Sequence, residues 1–232
     1  MEPSFSSECA KKTEHPFTEI IESSGLAPIG EGLLVEFRLL YQGKLRANGG
    51  AEDKFLIRRQ IHPQLRRLWV EHPVLRDQCE RMGAQHLLPT AQASYDAAIK
   101  ELAENHINGF TFLPLARTRF FLRCSLDVLF LRREKPGKVF MGGDIDNRLK
   151  TLFDALKMPT LKQDFGNESP GSDEDPFFVL LEDDQMIADV SVTTDRLLEL
   201  PPAHEHSKDY AVLVINVKLQ TTQRAEWWHV FS

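Results

Sequence analysis

Apolar and polar positions alternate along several stretches of the chain, and helical spacing takes over between them. Residues 33–41 (LLVEFRLLY) alternate imperfectly, which predicts a strand. Lys54–Gln60 begins a helix that Pro63 is expected to interrupt or restart, because proline suits only a first turn. Leu65, Leu68 and Trp69 carry an apolar stripe onward, and Val74–Met82 reads as a further short helix after Pro73. Ser94 is the expected N-cap of a helix marked by Tyr95, Ala98, Ile99 and Leu102, which Asn105–Gly109 ends. Strands follow at Phe110–Leu115 and Arg119–Arg132. In the second, Phe121, Arg123, Ser125, Asp127 and Leu129 alternate with Leu122, Cys124, Leu126, Val128 and Phe130, so one face is almost wholly apolar. A Pro/Gly turn region over Glu134–Gly143 leads to a helix in which Leu149, Leu152, Phe153 and Leu156 fall at i, i+3, i+4 and i+7. These four are expected to face the core, with Asn147, Lys150 and Asp154 opposite. Three more strands are predicted at Phe177–Leu181, Met186–Thr194 and Asp209–Leu219.

This order predicts an α+β fold: one domain over residues 32–221, with a mixed or antiparallel sheet packed against helices. Residues 1–31 are polar with little periodicity and read as a flexible arm. Residues 222–232 form a C-terminal tail that carries Trp227 and Trp228. The segment at about 159–176 is rich in Gly, Pro and acids and reads as an exposed, mobile loop.

Composition narrows the function. The hydrophobic fraction of 42% and the 15 Phe suit a packed core. No apolar run approaches membrane-spanning length, and the opening Met1-Glu2-Pro3-Ser4 lacks a signal-peptide layout, so no membrane role is expected. Cys9, Cys79 and Cys124 are odd in number and widely spaced, which suits free thiols in the cytoplasm. The net charge of −6 conceals segregation. Residues 33–76 carry nine Lys/Arg against four acids, whereas residues 160–184 carry eight acids against Lys162 alone. Lys44, Arg46, Arg58, Arg59, Arg66 and Arg67 are therefore candidate phosphate contacts, against the plainer reading of a solvated face.

The candidate chemistry lies at Gly143-Asp144-Ile145-Asp146-Asn147. In extended chain before a helix, residues i and i+2 point the same way, so Asp144 and Asp146 can meet one hard cation such as Mg²⁺. The competing reading makes one of them an N-cap. The acidic turn Glu182-Asp183-Asp184 offers a third carboxylate from another element, enough for metal-assisted phosphodiester hydrolysis. Lys150, one turn after Asp146, either neutralises charge on the phosphate or bridges Asp146 or Asp154 on the helix surface. No G-x-S-x-G, H-E-x-x-H or Walker-type loop is present, and no organic cofactor is expected.

The run Asp144-Ile145-Asp146-Asn147 with Lys150, Asp154, Ala155 and Leu156, then Glu182-Asp183-Asp184-Gln185 and a strand, resembles the RusA family of Holliday junction resolvases. The resemblance covers roughly residues 142–192. It implies a RusA-like domain, a homodimer, and a Mg²⁺-dependent endonuclease that nicks branched DNA, with Mn²⁺ as a substitute ion. By position it makes Asp144 and Asp146 metal ligands, Lys150 the catalytic lysine and Asn147 a DNA-facing residue. Anchoring on Gln185 makes Asp183 the downstream ligand, and anchoring on the double aspartate makes it Asp184; Asp183 is preferred. The family's first loop is proline-rich before an asparagine, whereas this chain reads Leu40-Tyr41-Gln42-Gly43-Lys44, and its acidic connection is long. Three other readings stand beside this one: a related metal-dependent nuclease of different substrate (flap, duplex, phage or defence DNA), a sugar-nucleotide transferase holding its metal with D-x-D, and a non-catalytic structure-specific DNA-binding module.

Overall fold

A computed structural model describes residues 33–221, apart from 134–143 and single positions at 85, 87, 89, 104, 121, 200, 202, 203, 205 and 206. The expected N-terminal arm, the turn region over 134–143 and the tail with Trp227 and Trp228 lie outside the described residues, as do Cys9 and Phe121. The described residues belong to one unit, Gly32–Ser232. The fold is α+β, with helices packed on mixed sheets. None of the described helices is long and apolar enough to cross a membrane.

The elements in chain order are β1 (Leu33–Lys44), α1 (Ala51–Glu71), α2 (Pro73–Ala84), α3 (Ala91–Leu102), β2 (Asn105–Ile107), β3 (Phe110–Ala116) and β4 (Leu122–Arg132). They continue with α4 (Asp144–Leu156), β5 (Phe177–Leu181), β6 (Ile187–Arg196) and β7 (Tyr210–Thr221). Two sheets form where one was expected. The larger has the order β1-β7-β4-β6, antiparallel except for the parallel β4–β6 pair. The smaller has the order β2-β3-β5, with β3 and β5 parallel.

The strand patterns read from sequence hold. Leu122, Cys124, Leu126, Val128 and Phe130 of β4 are all buried, and in β7 Ala211, Leu213, Ile215 and Val217 are fully buried beside them. Ile57, Ile61, Leu65 and Trp69 of α1 and Leu152, Ala155 and Leu156 of α4 complete that core. Cys79 and Cys124 are buried free thiols, and loss of solvation pushes each up to about 12, which keeps them protonated and inert.

Several expectations are corrected. Pro63 does not break α1, which runs unbroken for 21 residues with Pro63 on its exposed side. The proline removes an N–H from the ladder, and tertiary contacts on the opposite face carry the helix through. Part of that support comes from glutamines one turn apart. Gln60 bonds the backbone N–H and carbonyl of Gln42, and Gln64 does the same at Leu40. The two amides thereby occupy backbone groups on the edge of β1 that would otherwise be open for pairing.

Thr90, not Ser94, caps α3, accepting the Ala93 N–H at 3.1 Å. Ser94 is buried instead at the crossing with α2, where a Cβ on Gly83 would lie 1.8 Å from the Ser94 carbonyl oxygen. The stretch 105–109 does more than end α3. It forms a hairpin, with Asn108 (φ 51°) and Gly109 (φ 83°) both in the left-handed region that a two-residue turn requires.

The largest departure is residues 159–176, which are docked and not loose. A 3-10 turn at Lys162–Phe165 inserts the fully buried Phe165 into a cluster with Phe55, Phe110, Phe112 and Phe177. Arg59 clasps the segment from α1. It pairs with Glu168, donates to Glu174 at 2.8 Å and to the Ser169 carbonyl at 2.9 Å, and lies over the Phe55 ring. Burial is the largest single influence and opposes ionisation of Glu174, but the hydrogen bonds from Arg59 and the Gly171 N–H, with the charge of Arg59, together hold the carboxyl below its ordinary value.

His62 closes the same junction. Its Nδ1 accepts the Phe178 N–H at 2.9 Å, and its Nε2 donates to the Asp173 carbonyl at 3.2 Å. Burial lowers its pKa below the ordinary 6.5, overriding the pull of Asp173 and Glu174. Below that ordinary value the unfolded chain takes up a proton that the folded chain refuses, so stability falls with pH. The melting temperature is expected to drop between about pH 7 and pH 5, and to drop less in His62→Gln, whose amide oxygen can still accept from Phe178. Equal slopes in the two proteins would remove His62 as the source.

Candidate metal centre

The site is built on α4. Both ends of this helix are fixed by arginines and hydroxyls reaching across the fold. At its start the buried Arg148 donates to the Leu45 carbonyl at 2.9 Å and to Asp209 at 3.2 Å. The buried Thr151 hydroxyl donates to the Arg46 carbonyl at 3.0 Å and accepts the Gly49 N–H at 2.9 Å. These bonds lay the loop after β1 along the helix, with the Asn48 N–H on the Asn147 carbonyl at 3.4 Å. Gly49 permits the approach, since a Cβ there would meet the Thr151 methyl at 2.7 Å. At the far end the buried Arg58 donates to the Asp154 and Lys157 carbonyls at 2.5 and 3.2 Å, satisfying carbonyls that a helix C-terminus leaves open.

Asp144 and Asp146 both lie within the helix, so the extended geometry expected for them does not apply. Residues i and i+2 of a helix point to different sides. The Asp144 side chain lies outside the described residues. Asp146 and Lys150 are both exposed on the helix face and open onto a cavity of about 340 Å³. Leu149, Phe153 and Asp154 line it from the same helix, and Asp184 closes it from the turn before β6. Leu152 and Leu156 enter the core, and Leu149 and Phe153 are half-buried, packed against that core while also lining the cavity.

The acidic turn splits its residues between two cavities. Asp183 caps a 3-10 turn at Asp184–Met186, accepting the Gln185 N–H at 2.9 Å, and faces the neighbouring cavity with Glu182 and Arg123. Glu182 accepts the Thr118 N–H at 2.7 Å. Asp184 thus lines the same cavity as Asp146, and Asp183, the preferred ligand, lines the neighbouring one. Among the described residues no three His, Cys, Asp or Glu side chains converge to hold a metal by themselves.

Two lysines outside the resembling motif pair with carboxylates of this lining. Lys157, one residue beyond α4, places its Nζ 3.1 Å from Asp184 and 4.0 Å from Asp154. Lys54 of α1 pairs with the other Asp154 oxygen at 2.8 Å. Lys157 is at helical spacing from Asp154, whereas the partner of Lys54 is distant in the chain and leaves no local signal. Lys150 lines the cavity, and no ion pair joins it to Asp146 or Asp154 among the described residues. Asp146 and Asp184 are the donor type that a hard divalent cation takes, one or two carboxylates with the other positions left to water and phosphate, and both line one cavity. An ammonium already rests where such an ion would neutralise Asp184.

The candidate phosphate contacts separate sharply. Lys44, Arg66 and Arg67 are exposed, Arg67 pairing with Glu71 on its own helix. Arg46 is 53% exposed and bridges Asp53 at 3.2 Å, on the loop that runs beside Asn147. Arg58 is buried, and desolvation lowers its pKa to about 10, so it has no free face for phosphate. Arg59 is committed to Glu168 and Glu174. Both are structural residues here.

Searches against protein-family models, curated proteins and solved structures found no match to this chain.

Proposed function

We propose that this chain is a Mg²⁺-dependent endonuclease acting on branched DNA, as its resemblance to RusA-like resolvases implies, and that it works as a homodimer in the cytoplasm. The observation that carries the reading is the shared cavity of Asp146, Lys150 and Asp184, three residues of the resembling motif contributed by two elements. Asp146 and Asp184 are the carboxylates that would hold the cation, and Asp144 is the third candidate. When bound, such an ion supplies Lewis-acid stabilisation for phosphoryl oxygens, and Mn²⁺ suits the same donors.

The chain's own groups do the rest. Lys150 brings a positive charge to the cavity mouth, where charge develops on the phosphate. Leu149 and Phe153 give the cavity an apolar wall, which limits water around that charge. Lys44 at the end of β1 and Arg46 just after it are exposed cations on a segment that Arg148 and Thr151 tie to α4, and they are candidates to meet a DNA backbone. A pure DNA-binding module would have no use for three aspartates beside phosphate.

The test is a panel of four-way junction, flap, duplex and single-stranded DNA, with and without Mg²⁺. Nicking is expected only with the ion and most efficiently on branched substrates. Binding without cleavage of any substrate in Mg²⁺ or Mn²⁺ would leave the binding module as the surviving reading.

A further inference from the structure

Four charged groups form an alternating chain of ion pairs, Lys54, Asp154, Lys157 and Asp184, of which the two aspartates line the cavity. Lys54 Nζ lies 2.8 Å from one oxygen of Asp154, and Lys157 Nζ lies 4.0 Å from the other and 3.1 Å from Asp184. Lys157 is well placed for this. Its backbone bridges to Leu181 at the end of β5, and its carbonyl accepts from the buried Arg58. The root of the side chain is thus fixed beside the Asp184 turn, while the ammonium can choose between two carboxylates.

We propose that Lys157 is the resident counter-cation of the metal centre, holding Asp184 until a divalent ion arrives and then moving onto Asp154. The proposal rests on the metal-centre reading above and deepens it. An unscreened carboxylate pair facing a cavity is electrostatically unfavourable, and an ammonium at hydrogen-bond distance relieves it. A divalent cation binding the same oxygen must displace that ammonium, so Lys157 sets the affinity of the site. Asp154 makes the exchange inexpensive, because the leaving ammonium has a second acceptor within a small rotation of its flexible stem. Lys54 keeps Asp154 in place from the opposite side and is not displaced. Lys157 is therefore a positioning residue, distinct from Lys150, which lines the cavity.

The test is Mn²⁺ affinity of the full chain, read from the free-ion EPR signal without DNA. Lys157→Met is expected to bind Mn²⁺ about tenfold more tightly, and Lys157→Arg to return toward wild type. Asp154→Asn removes the second seat, so it should weaken binding in the wild-type background and do so less in Lys157→Met. Unchanged or weaker Mn²⁺ binding in Lys157→Met, while Asp184→Asn still abolishes binding, overturns the counter-cation role and leaves the metal centre standing. If no variant shows Mn²⁺ binding that depends on Asp146 and Asp184, the metal centre and the counter-cation role both fall.

Discussion

Asp146→Asn and Asp184→Asn are each expected to lower Mg²⁺-dependent nicking by at least about a hundredfold, because a ligand that helps hold a catalytic ion supports several kcal/mol of transition-state stabilisation. Both substitutions should leave the fold intact. Asp146 is exposed on α4, and no ion pair holds it among the described residues. Asp184 loses its bridge to Lys157, but at 41% side-chain exposure that bridge contributes no more than about 1 kcal/mol. Asp183→Asn is the informative control. Asparagine caps a turn about as well as aspartate does, so the cap on Gln185 survives, and the effect on nicking should be much the smaller of the two neighbours. Steady-state nicking of a four-way junction, with thermal melts of each variant, measures this directly. A more damaged Asp183→Asn than Asp184→Asn would restore Asp183 as the ligand, and full activity in Asp146→Asn would remove the site.

That ranking of neighbours illustrates what a sequence can and cannot carry. The alternation in β4 and β7 was readable because a strand has a fixed period, and burial follows it residue by residue. A turn has no such period. Which of Glu182, Asp183 and Asp184 faces α4 depends on the 3-10 geometry that follows them, and spacing alone left two alignments open. Charge counting failed in a similar way at Arg58 and Arg59. Adjacent on α1, they point about 100° apart, one into the C-terminal carbonyls of α4 and the other onto the acidic segment. Their partners lie on the order of a hundred positions away in the chain, so a local tally could not tell a paired cation from a free one. Some signals were present and passed over. Asn108-Gly109 is a strong two-residue hairpin signature that the helix-end pattern around it masks.

The acidic segment holds the clearest such signal, and it leads to the second large effect. Phe165 is a lone aromatic residue amid acids and glycines, and one buried ring can anchor a stretch whose composition otherwise suggests solvent. Its ring lies 5.9 Å from Phe55, 5.5 Å from Phe110 and 6.0 Å from Phe112, with no exposed surface. Phe165→Ala is expected to cost about 3–5 kcal/mol, the range for removing a buried aromatic ring. The remaining tethers do not compensate. The Arg59 pairs are partly exposed, and pairs of that kind contribute little each. Leu161→Ala, at a position 54% exposed on the same segment, should change stability by less than about 0.5 kcal/mol. Urea unfolding of the two variants separates the cases, and limited proteolysis should cut residues 159–176 faster in Phe165→Ala alone. If Phe165→Ala instead matches Leu161→Ala in both measurements, the ring is not an anchor and the segment is held some other way. If the anchor holds, Arg59 stays committed to Glu168 and Glu174. Lys44, Arg46, Arg66 and Arg67 would then remain the exposed candidates for a DNA backbone.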